Sequence, residues 1–178
     1  VKSGDRVVMH WMKSSGIDSA PPRFNWDGRV VSAGWVTTFS EYTVASENRL
    51  TVYSDDIKSE VACLLGCAVT TGLGIVFNDA ALMPGQSIAV FGVGGIGVNV
   101  LQGAALVNAY PIVAIDIHDH KLAQAKAFGA THTVNAAKED VLESLIGLSG
   151  THGFDTTVDT TGNSEARQIA YAASNNQG

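Results

Sequence analysis

The chain has 178 residues, of which 46% are hydrophobic and 16% charged. This composition excludes an intrinsically disordered chain and predicts a globular protein with a sizeable buried core. Seventeen acidic and eleven basic residues give a net charge of −6, and after residue 60 nine acidic residues stand against four basic ones. Without a basic surface to bind a phosphate backbone, nucleic acid is not an expected partner.

The two cysteines, Cys63 and Cys67, are too few for a disulfide framework and favour a reducing, cytoplasmic location. No apolar run is expected to reach the length of a membrane span, because polar and turn-forming residues interrupt the apolar region, namely Asn78, Asp79, Gly85 and Gln86. We therefore expect no membrane partner. The chain starts at Val1 and stops at Gly178 without a leader pattern, and it is interpreted as cut at both ends.

Residues 1–53 contain short β-type runs between turn-forming residues, which predicts an irregular β region. The predicted strands are Arg6–Met9, Arg29–Ser32, Glu41–Ala45 and Leu50–Tyr53. From residue 54 the apolar spacing becomes helical, with a first helix expected to end near Gly66 and a second over residues 68–81. A turn over residues 83–86 marks the expected domain boundary.

From Ser87 onward, short and almost continuously apolar strands alternate with helices, which is typical of parallel strands covered on both faces. The sequence therefore predicts a doubly wound α/β sheet. Asp119 is expected to cap a helix, and Gly129 to end it in a left-handed conformation. The predicted strands are Ile88–Phe91, Ile112–Ile115, Thr131–Val134 and Asp155–Val158, and the predicted helices are Ile96–Asn108, His120–Phe128, Lys138–Leu148 and Glu165–Ala173.

A glycine-rich turn, Gly92-Val93-Gly94-Gly95-Ile96-Gly97, follows the first parallel strand and opens a helix. In a G-x-G-x-x-G turn, the first glycine permits a tight turn, the second lets backbone approach a pyrophosphate, and the third lets helix and strand pack closely. The amides at the helix N-terminus can hold the anion without a basic side chain. The turn therefore predicts a nucleotide-binding site.

Asp116 ends the next strand, 19 positions after Gly97, where a carboxylate can accept hydrogen bonds from the hydroxyls of an adenine ribose. The glycine pattern alone also occurs in turns that bind nothing, and a lone aspartate at a strand end can simply be solvated. The combination of strand, glycine turn, helix, strand and acid favours NAD.

Several motifs outside this turn carry a family resemblance. They are Lys2-Ser3-Gly4-Asp5-Arg6-Val7-Val8, Phe39-Ser40-Glu41-Tyr42, Leu64-Leu65-Gly66-Cys67-Ala68-Val69-Thr70-Thr71-Gly72 and Pro84-Gly85. With the glycine turn, Asp116 and Lys121, these residues resemble the zinc-dependent alcohol and polyol dehydrogenases of the medium-chain dehydrogenase/reductase family. The resemblance spans nearly the whole chain, and the Gly66-Cys67 segment is its most specific part.

The resemblance implies a Rossmann-type sheet preceded by part of a GroES-like β domain. Residues 1–53 would belong to the GroES-like catalytic domain, residues 54–86 would be connecting helices, and residues 87–178 would form a truncated Rossmann domain. The implied activity is hydride transfer between NAD and a small alcohol or carbonyl bound to a catalytic zinc. The intact parent is expected to form a homo-oligomer.

The resemblance also implies roles for individual residues. Cys67 is similar to a ligand of the catalytic zinc, Thr71 to a residue beside the nicotinamide, and Lys121 to the partner of Asp116 at the ribose. Trp11 and Phe39 are similar to aromatic residues that line the substrate pocket. Each has a simpler alternative: Cys67 as a small buried residue, Thr71 in helix packing, Lys121 on a solvated surface, and the aromatic residues in a core.

The metal sites depart from the family pattern. A catalytic zinc needs three protein ligands, and two of the family's ligands would lie before Val1, so this chain alone is expected to be inactive. No four closely spaced cysteines occur between Asp5 and Phe39, so a structural zinc is not expected, and the segment His118-Asp119-His120 is interpreted as a solvated turn. A zinc-free quinone-type reductase and a non-catalytic nucleotide-binding module remain as alternatives.

Overall fold

The computed structural model describes residues 1–32 and 34–175, which divide into two compact units, Val1–Cys67 and Ala68–Gly178. The division falls inside the segment 54–86 that the sequence assigned to connecting helices. The three-part domain organisation stays a prediction.

The first unit contains two small antiparallel sheets. Strand β1 (Val7–Met9) pairs with β4 (Leu50–Val52), and β2 (Phe24–Trp26) pairs with β3 (Arg29–Val31). A short 3-10 helix, Glu47–Arg49, leads directly into β4. These strands fit the predicted irregular β region, while its assignment to a GroES-like domain stays a prediction.

One strand prediction in this unit was wrong, and one strand was not predicted. Residues 41–45 form bends and irregular backbone, and Tyr42 and Val44 are exposed, so their β-type side chains find no packed face. Strand β2 was missed, although Asp27 and Gly28 both have positive φ, at 48° and 79°, and so make the two-residue turn of a hairpin. The Asp-Gly pair was the signal for that hairpin.

Helical turns continue from Ser59 to Asp79, so the prediction that a helix ends near Gly66 was wrong. The segment comprises α1 (Ser59–Leu64), a π turn (Leu65–Val69), α2 (Thr70–Gly74) and a second π turn (Ile75–Asp79). A Cβ atom at Gly66 would lie 2.5 Å from the carbonyl oxygen of Met9. Glycine is therefore required there for close packing against β1, and it does not stop the helix.

The segment Ser59–Asp79 also contradicts the expectation that no apolar run reaches membrane-spanning length. It has 21 residues, and the mean hydropathy of its 18-residue window is 1.9, so by length and composition it is the one helix in the described part of the chain that could cross a membrane. Core helices of soluble proteins can have the same length and apolar composition.

Gly72 of the same helical segment packs against α3 (Gly95–Leu106), because a Cβ at Gly72 would lie 2.4 Å from the Cβ of Asn99.

The second unit is built on a four-stranded parallel sheet. Its strands are β5 (Ile88–Phe91), β6 (Ile112–Asp116), β7 (His132–Asn135) and β8 (Thr156–Asp159), in the spatial order β7-β6-β5-β8. The connecting helices are α3 (Gly95–Leu106), α4 (Asp119–Ala127), α5 (Val141–Ser149) and α6 (Ser164–Ala173). The predicted Rossmann-type sheet is confirmed.

The two faces of the sheet are buried under different helices. Ile88 and Val90 of β5 belong to the core formed with α3 and α4, while Ala89 and Phe91 belong to the core formed with α5 and α6. Alternate side chains of a strand point to opposite faces. The continuous apolar strands in the sequence are explained by this burial on both faces.

The start of α4 differs from the prediction, while its end agrees. Asp119 does not cap the helix; His118 occupies the N-cap without a side-chain cap, and the Asp119 carboxylate accepts hydrogen bonds from Asn135 and Lys138. Gly129 has a φ of 105°, as predicted, and a Cβ there would lie 2.6 Å from the Cβ of Ala105. Asp119 does not cap α4 because its carboxylate is bonded to Asn135 and Lys138 instead.

Candidate functional site

A cleft of about 480 Å³ opens at the carboxyl ends of the parallel strands. The strand order reverses next to β5, because β6 lies on one side of it and β8 on the other. In open parallel sheets, ligands bind at such a point. The lining residues are Phe91, Gly92, Gly94, Ile115, Asp116, Ile117, His118, Lys121, Ala136, Val141, Thr160, Thr161, Asn163, Glu165, Ala166 and Ile169.

The glycine turn between β5 and α3 forms one wall of this cleft. Gly92 has a φ of 90°, which L side chains rarely adopt. A Cβ at Gly97 would lie 1.9 Å from the carbonyl oxygen of Gly92, whereas a Cβ at Gly94 would meet no atom within 4 Å. Two of the glycines are thus required by the fold, and the third leaves open space towards the cleft.

The remaining residues of the turn have separate surroundings. Val93 is buried in the core beneath α3, and Ile96 packs against the same core from a half-buried position. Gly95 is the first residue of α3 and is exposed. The first amides of an α-helix have no partner inside the helix. The turn therefore combines an apolar anchor with backbone donors, which suits a phosphate group.

Asp116 lies at the end of β6, and its side chain is only 7% exposed. Its carboxylate accepts the N–H of Val93 at 2.9 Å and the N–H of His118 at 3.0 Å. The ammonium group of Lys121 lies 3.7 Å from the same carboxylate. Asp116 and Lys121 thus form an ion pair beside the cleft, while their joint role at a ribose stays a prediction.

The charge state of Asp116 follows from these contacts. Partial burial acts to raise the pKa of Asp116, but the N–H groups of Val93 and His118 and the charge of Lys121 outweigh it and hold the pKa below its ordinary value. Asp116 is therefore an ionised hydrogen-bond acceptor at neutral pH. Such a group accepts hydrogen bonds from a sugar diol and repels an additional phosphate.

Polar residues between β8 and α6 also line the cleft, and they were not predicted from the sequence. Thr160 and Thr161 follow β8, and Asn163 caps α6 by accepting from the N–H groups of Glu165 and Ala166. The position of these residues in the sequence could have predicted their place at the cleft. Hydroxyl and amide side chains that directly follow a buried parallel strand lie at the edge where ligands bind.

Other predicted site residues lie outside this cleft. Cys67 is exposed in the π turn 65–69, and Cys63 is exposed one turn earlier. Thr71 is exposed in α2, and Trp11 and Phe39 are exposed in the first unit. Their roles at a nicotinamide or in a substrate pocket stay predictions.

The described residues do not supply a three-ligand zinc site. No group of three or more His, Cys, Asp or Glu side chains is arranged to hold a metal ion in residues 1–32 and 34–175. The rings of His118 and His120 lie with their centroids 5.5 Å apart, without a third ligand in that part of the chain. Cys67 on its own does not fit a catalytic zinc, which needs three protein ligands.

Comparisons with known proteins identify the family. Residues 95–178 match the family described as zinc-binding dehydrogenase. The S-(hydroxymethyl)glutathione dehydrogenases of Synechocystis sp. and of Escherichia coli are each 40% identical over 151 residues, which is 83% of this chain. Residues 95–178 belong to the zinc-binding dehydrogenase family. The whole chain covers 41% of the length of these curated relatives, which are oxidoreductases.

Solved structures agree with this assignment to the zinc-binding dehydrogenases. The alcohol dehydrogenase zinc-binding domain protein from Burkholderia ambifaria is 32% identical, with a TM-score of 0.70 over 73% of this chain and 35% of that one. Benzyl alcohol dehydrogenase from Acinetobacter calcoaceticus covers 100% of this chain and 54% of its own, with a TM-score of 0.84 at 24% identity. That second likeness concerns the fold alone. The predicted resemblance to alcohol dehydrogenases is confirmed.

Proposed function

We propose that this chain holds the adenosine and pyrophosphate half of NAD, as part of an alcohol dehydrogenase that acts on a small alcohol or carbonyl. The observation that carries the proposal is the position of Asp116. Its ionised carboxylate lies at the rim of the cleft and is hydrogen-bonded to Val93 of the glycine turn. A ribose acceptor and a pyrophosphate cradle thus stand side by side.

The proposed roles follow from the surroundings of each residue. Asp116 accepts hydrogen bonds from the ribose hydroxyls, and Lys121 donates to the same sugar. The backbone from Gly92 to Gly97, with Val93, Gly95 and Ile96, binds the pyrophosphate, because the open side of Gly94 lets it approach the chain. When bound, NAD supplies a hydride acceptor or donor.

The finer assignments are also proposals. Thr71 contacts the nicotinamide side, and Trp11 and Phe39 line the substrate pocket of the parent, which contains a GroES-like domain and forms a homo-oligomer. The support is the sequence resemblance together with curated relatives whose names are those of dehydrogenases. A cytoplasmic location is supported by two exposed cysteine side chains, which suit a reducing compartment.

Zinc is proposed only for the parent. Cys67 would be one of its ligands, and the other ligands do not occur among the described residues. A zinc-free quinone-type reductase, which would not need Cys67 as a ligand, is the second candidate. A quinone oxidoreductase from Pseudomonas syringae has the same fold, with a TM-score of 0.69 at 23% identity. Replacing Cys67 by Ser in the parent separates the two. The zinc enzyme would lose metal and activity together, and the zinc-free enzyme would keep its activity.

The NAD proposal is tested by titrating the 178-residue chain with NAD and with NADP at one salt concentration, using calorimetry or NMR. We expect NAD to bind more tightly, because Asp116 repels the 2′-phosphate of NADP. AMP with an added 2′-phosphate is a matched probe for the same repulsion. Equal or tighter binding of NADP, or no binding of either cofactor, would overturn the assignment.

A further inference from the structure

The peptide group that joins Gly92 to Val93 is held at both of its ends. Its carbonyl oxygen accepts a hydrogen bond from the Thr160 hydroxyl at 3.0 Å. Its N–H donates to the carboxylate of Asp116 at 2.9 Å. Because a trans peptide group is planar, with its carbonyl and N–H pointing in opposite directions, these two contacts fix its rotation. The glycine turn is thereby held between the end of β6 and the end of β8.

Thr160 contacts this turn through several atoms. Its hydroxyl also lies 3.0 Å from the carbonyl oxygen of Phe91, and its own N–H donates to that oxygen at 2.9 Å. A hydroxyl has one proton, which the carbonyls of Phe91 and Gly92 therefore share. A Cβ at Gly92 would lie 2.8 Å from the Thr160 hydroxyl oxygen. The contact requires both a hydroxyl at position 160 and a glycine at position 92.

We propose that Thr160 is a positioning residue for the pyrophosphate of NAD. By holding the peptide between Gly92 and Val93, it sets the direction of the amides that follow in Gly94 and Gly95, at the start of α3. Those amides bind the anion only when they point into the cleft. The inference rests on the proposed NAD function, and it adds a residue that directly follows β8 to a site that the sequence assigned to the glycine turn and β6.

A purely structural role for Thr160 gives a different result. If the hydroxyl only stabilised the junction of β5 and β8, its loss would lower the stability of the unit and weaken all ligands of the cleft in the same proportion. A positioning role weakens ligands that carry a pyrophosphate and leaves the adenosine contacts at Asp116 unchanged. The ratio of the two affinities therefore separates the roles.

The experiment titrates the 178-residue chain with ADP-ribose and with adenosine, by NMR at fixed salt. Thr160→Val removes the hydroxyl and keeps the branched shape, so we expect ADP-ribose to bind about 10-fold more weakly, the loss of one hydrogen bond of ordinary strength, with adenosine unchanged. Thr160→Ser restores the hydroxyl and should restore ADP-ribose binding. Thr157→Val makes the same change inside β8, at a position that does not line the cleft, and should change neither affinity.

Each outcome decides one question. If the unsubstituted chain binds neither probe, the proposed NAD function fails. If it binds ADP-ribose and Thr160→Val binds it equally well, or loses both probes in the same proportion, Thr160 has no positioning role while the NAD function stands. If Thr160→Val does not fold, Thr160→Ala replaces it. A selective loss of ADP-ribose in that variant supports the inference, and a proportional loss overturns it.

Discussion

Gly97 faces the carbonyl oxygen of Gly92 so closely that a Cβ atom at Gly97 would lie 1.9 Å from that oxygen. No side chain fits at this distance without a shift of backbone. Three residues earlier, a Cβ at Gly94 would point into open space. The two glycines of one motif therefore have opposite reasons to be glycine, one inside the protein and one towards a ligand.

Alanine substitutions at Gly97 and Gly94 should distinguish a role in folding from a role in ligand binding. Gly97→Ala should destabilise the chain by about 3 kcal/mol, the upper range for forcing an extra methyl group into a packed site. Gly94→Ala should leave stability nearly unchanged, because the φ of −89° at Gly94 suits alanine, and should weaken NAD by about 10-fold by blocking the approach of the pyrophosphate. Thermal unfolding and NAD titration measure the two effects.

Gly147→Ala is the matched control for both substitutions. Gly147 lies in α5, and a Cβ there would meet no atom within 4 Å. Alanine should stabilise this helix by up to about 1 kcal/mol and leave NAD binding unchanged. Unchanged NAD affinity in Gly94→Ala would contradict the proposed pyrophosphate site.

Asp116→Ala should weaken NAD more than NADP. The carboxylate offers hydrogen bonds to the ribose that are worth about 1.5–3 kcal/mol each for a charged group, and it repels the 2′-phosphate of NADP. The substitution should therefore narrow or reverse the preference for NAD, as measured by titration with both cofactors at one salt concentration.

Asp119→Ala is the control for Asp116→Ala, because this exposed carboxylate lies at the start of α4 and bonds to Asn135 and Lys138. Its loss should leave the ratio of the two cofactor affinities unchanged. An unchanged ratio in Asp116→Ala would show that Asp116 does not select the cofactor.

Asp155 should make stability depend on acid pH. The N–H and hydroxyl of Ser87 donate to its carboxylate, each at 2.8 Å, and these contacts, opposed by partial burial, hold the pKa of Asp155 below its ordinary value. A folded-state pKa below the unfolded value of about 3.9 gives stability that is present above that value and is lost as pH falls through the folded-state pKa.

Asp155→Asn should accordingly lower the free energy of unfolding by about 1–3 kcal/mol at pH 7, and the difference from the unsubstituted chain should shrink at pH 3 and below. Urea unfolding at both pH values measures this. Asp79→Asn, at an exposed position, should have no comparable effect. A difference that is equal at both pH values would mean that the ionised carboxylate is not the stabilising form.

The 178-residue chain should not retain stoichiometric zinc. Cys67 lacks two protein co-ligands among the described residues, and a site with three ligands is needed to hold the metal with one position open for substrate. After dialysis, elemental analysis should find well under one zinc per chain, and no alcohol should be oxidised with NAD. One tightly held zinc that is lost in Cys67→Ser, together with turnover, would overturn this expectation.

The parallel sheet could be predicted because strands that are buried on both faces consist of consecutive apolar residues. Ile88–Phe91 and Ile112–Asp116 are apolar runs bounded by turn residues, and both are buried strands. Glu41–Ala45 has equally good β-type residues and forms no strand. Strand formation there depends on a pairing partner and a packed face, which local residue preferences do not contain.

The candidate site could be predicted only in part, for a related reason. Gly92, Gly94, Gly97 and Asp116 are close in sequence and follow one local motif. Thr160 comes 68 positions after Gly92 and reaches the turn only because β8 pairs directly with β5. The contact of Thr160 with the glycine turn depends on which strands are neighbours in the sheet, and a single local motif does not predict the order of the strands.

Phe154 forms an isolated parallel bridge with Ser174, two residues before β8 begins. Residues Thr156–Asp159 pair with β5 on one side, and no strand among residues 1–32 and 34–175 pairs with the other. Unpaired N–H and C=O groups along an open strand invite pairing with a second molecule. The chain should therefore self-associate through β8 in concentrated solution. Self-association of the folded chain, and not its unfolding, should limit the protein concentration that can be used.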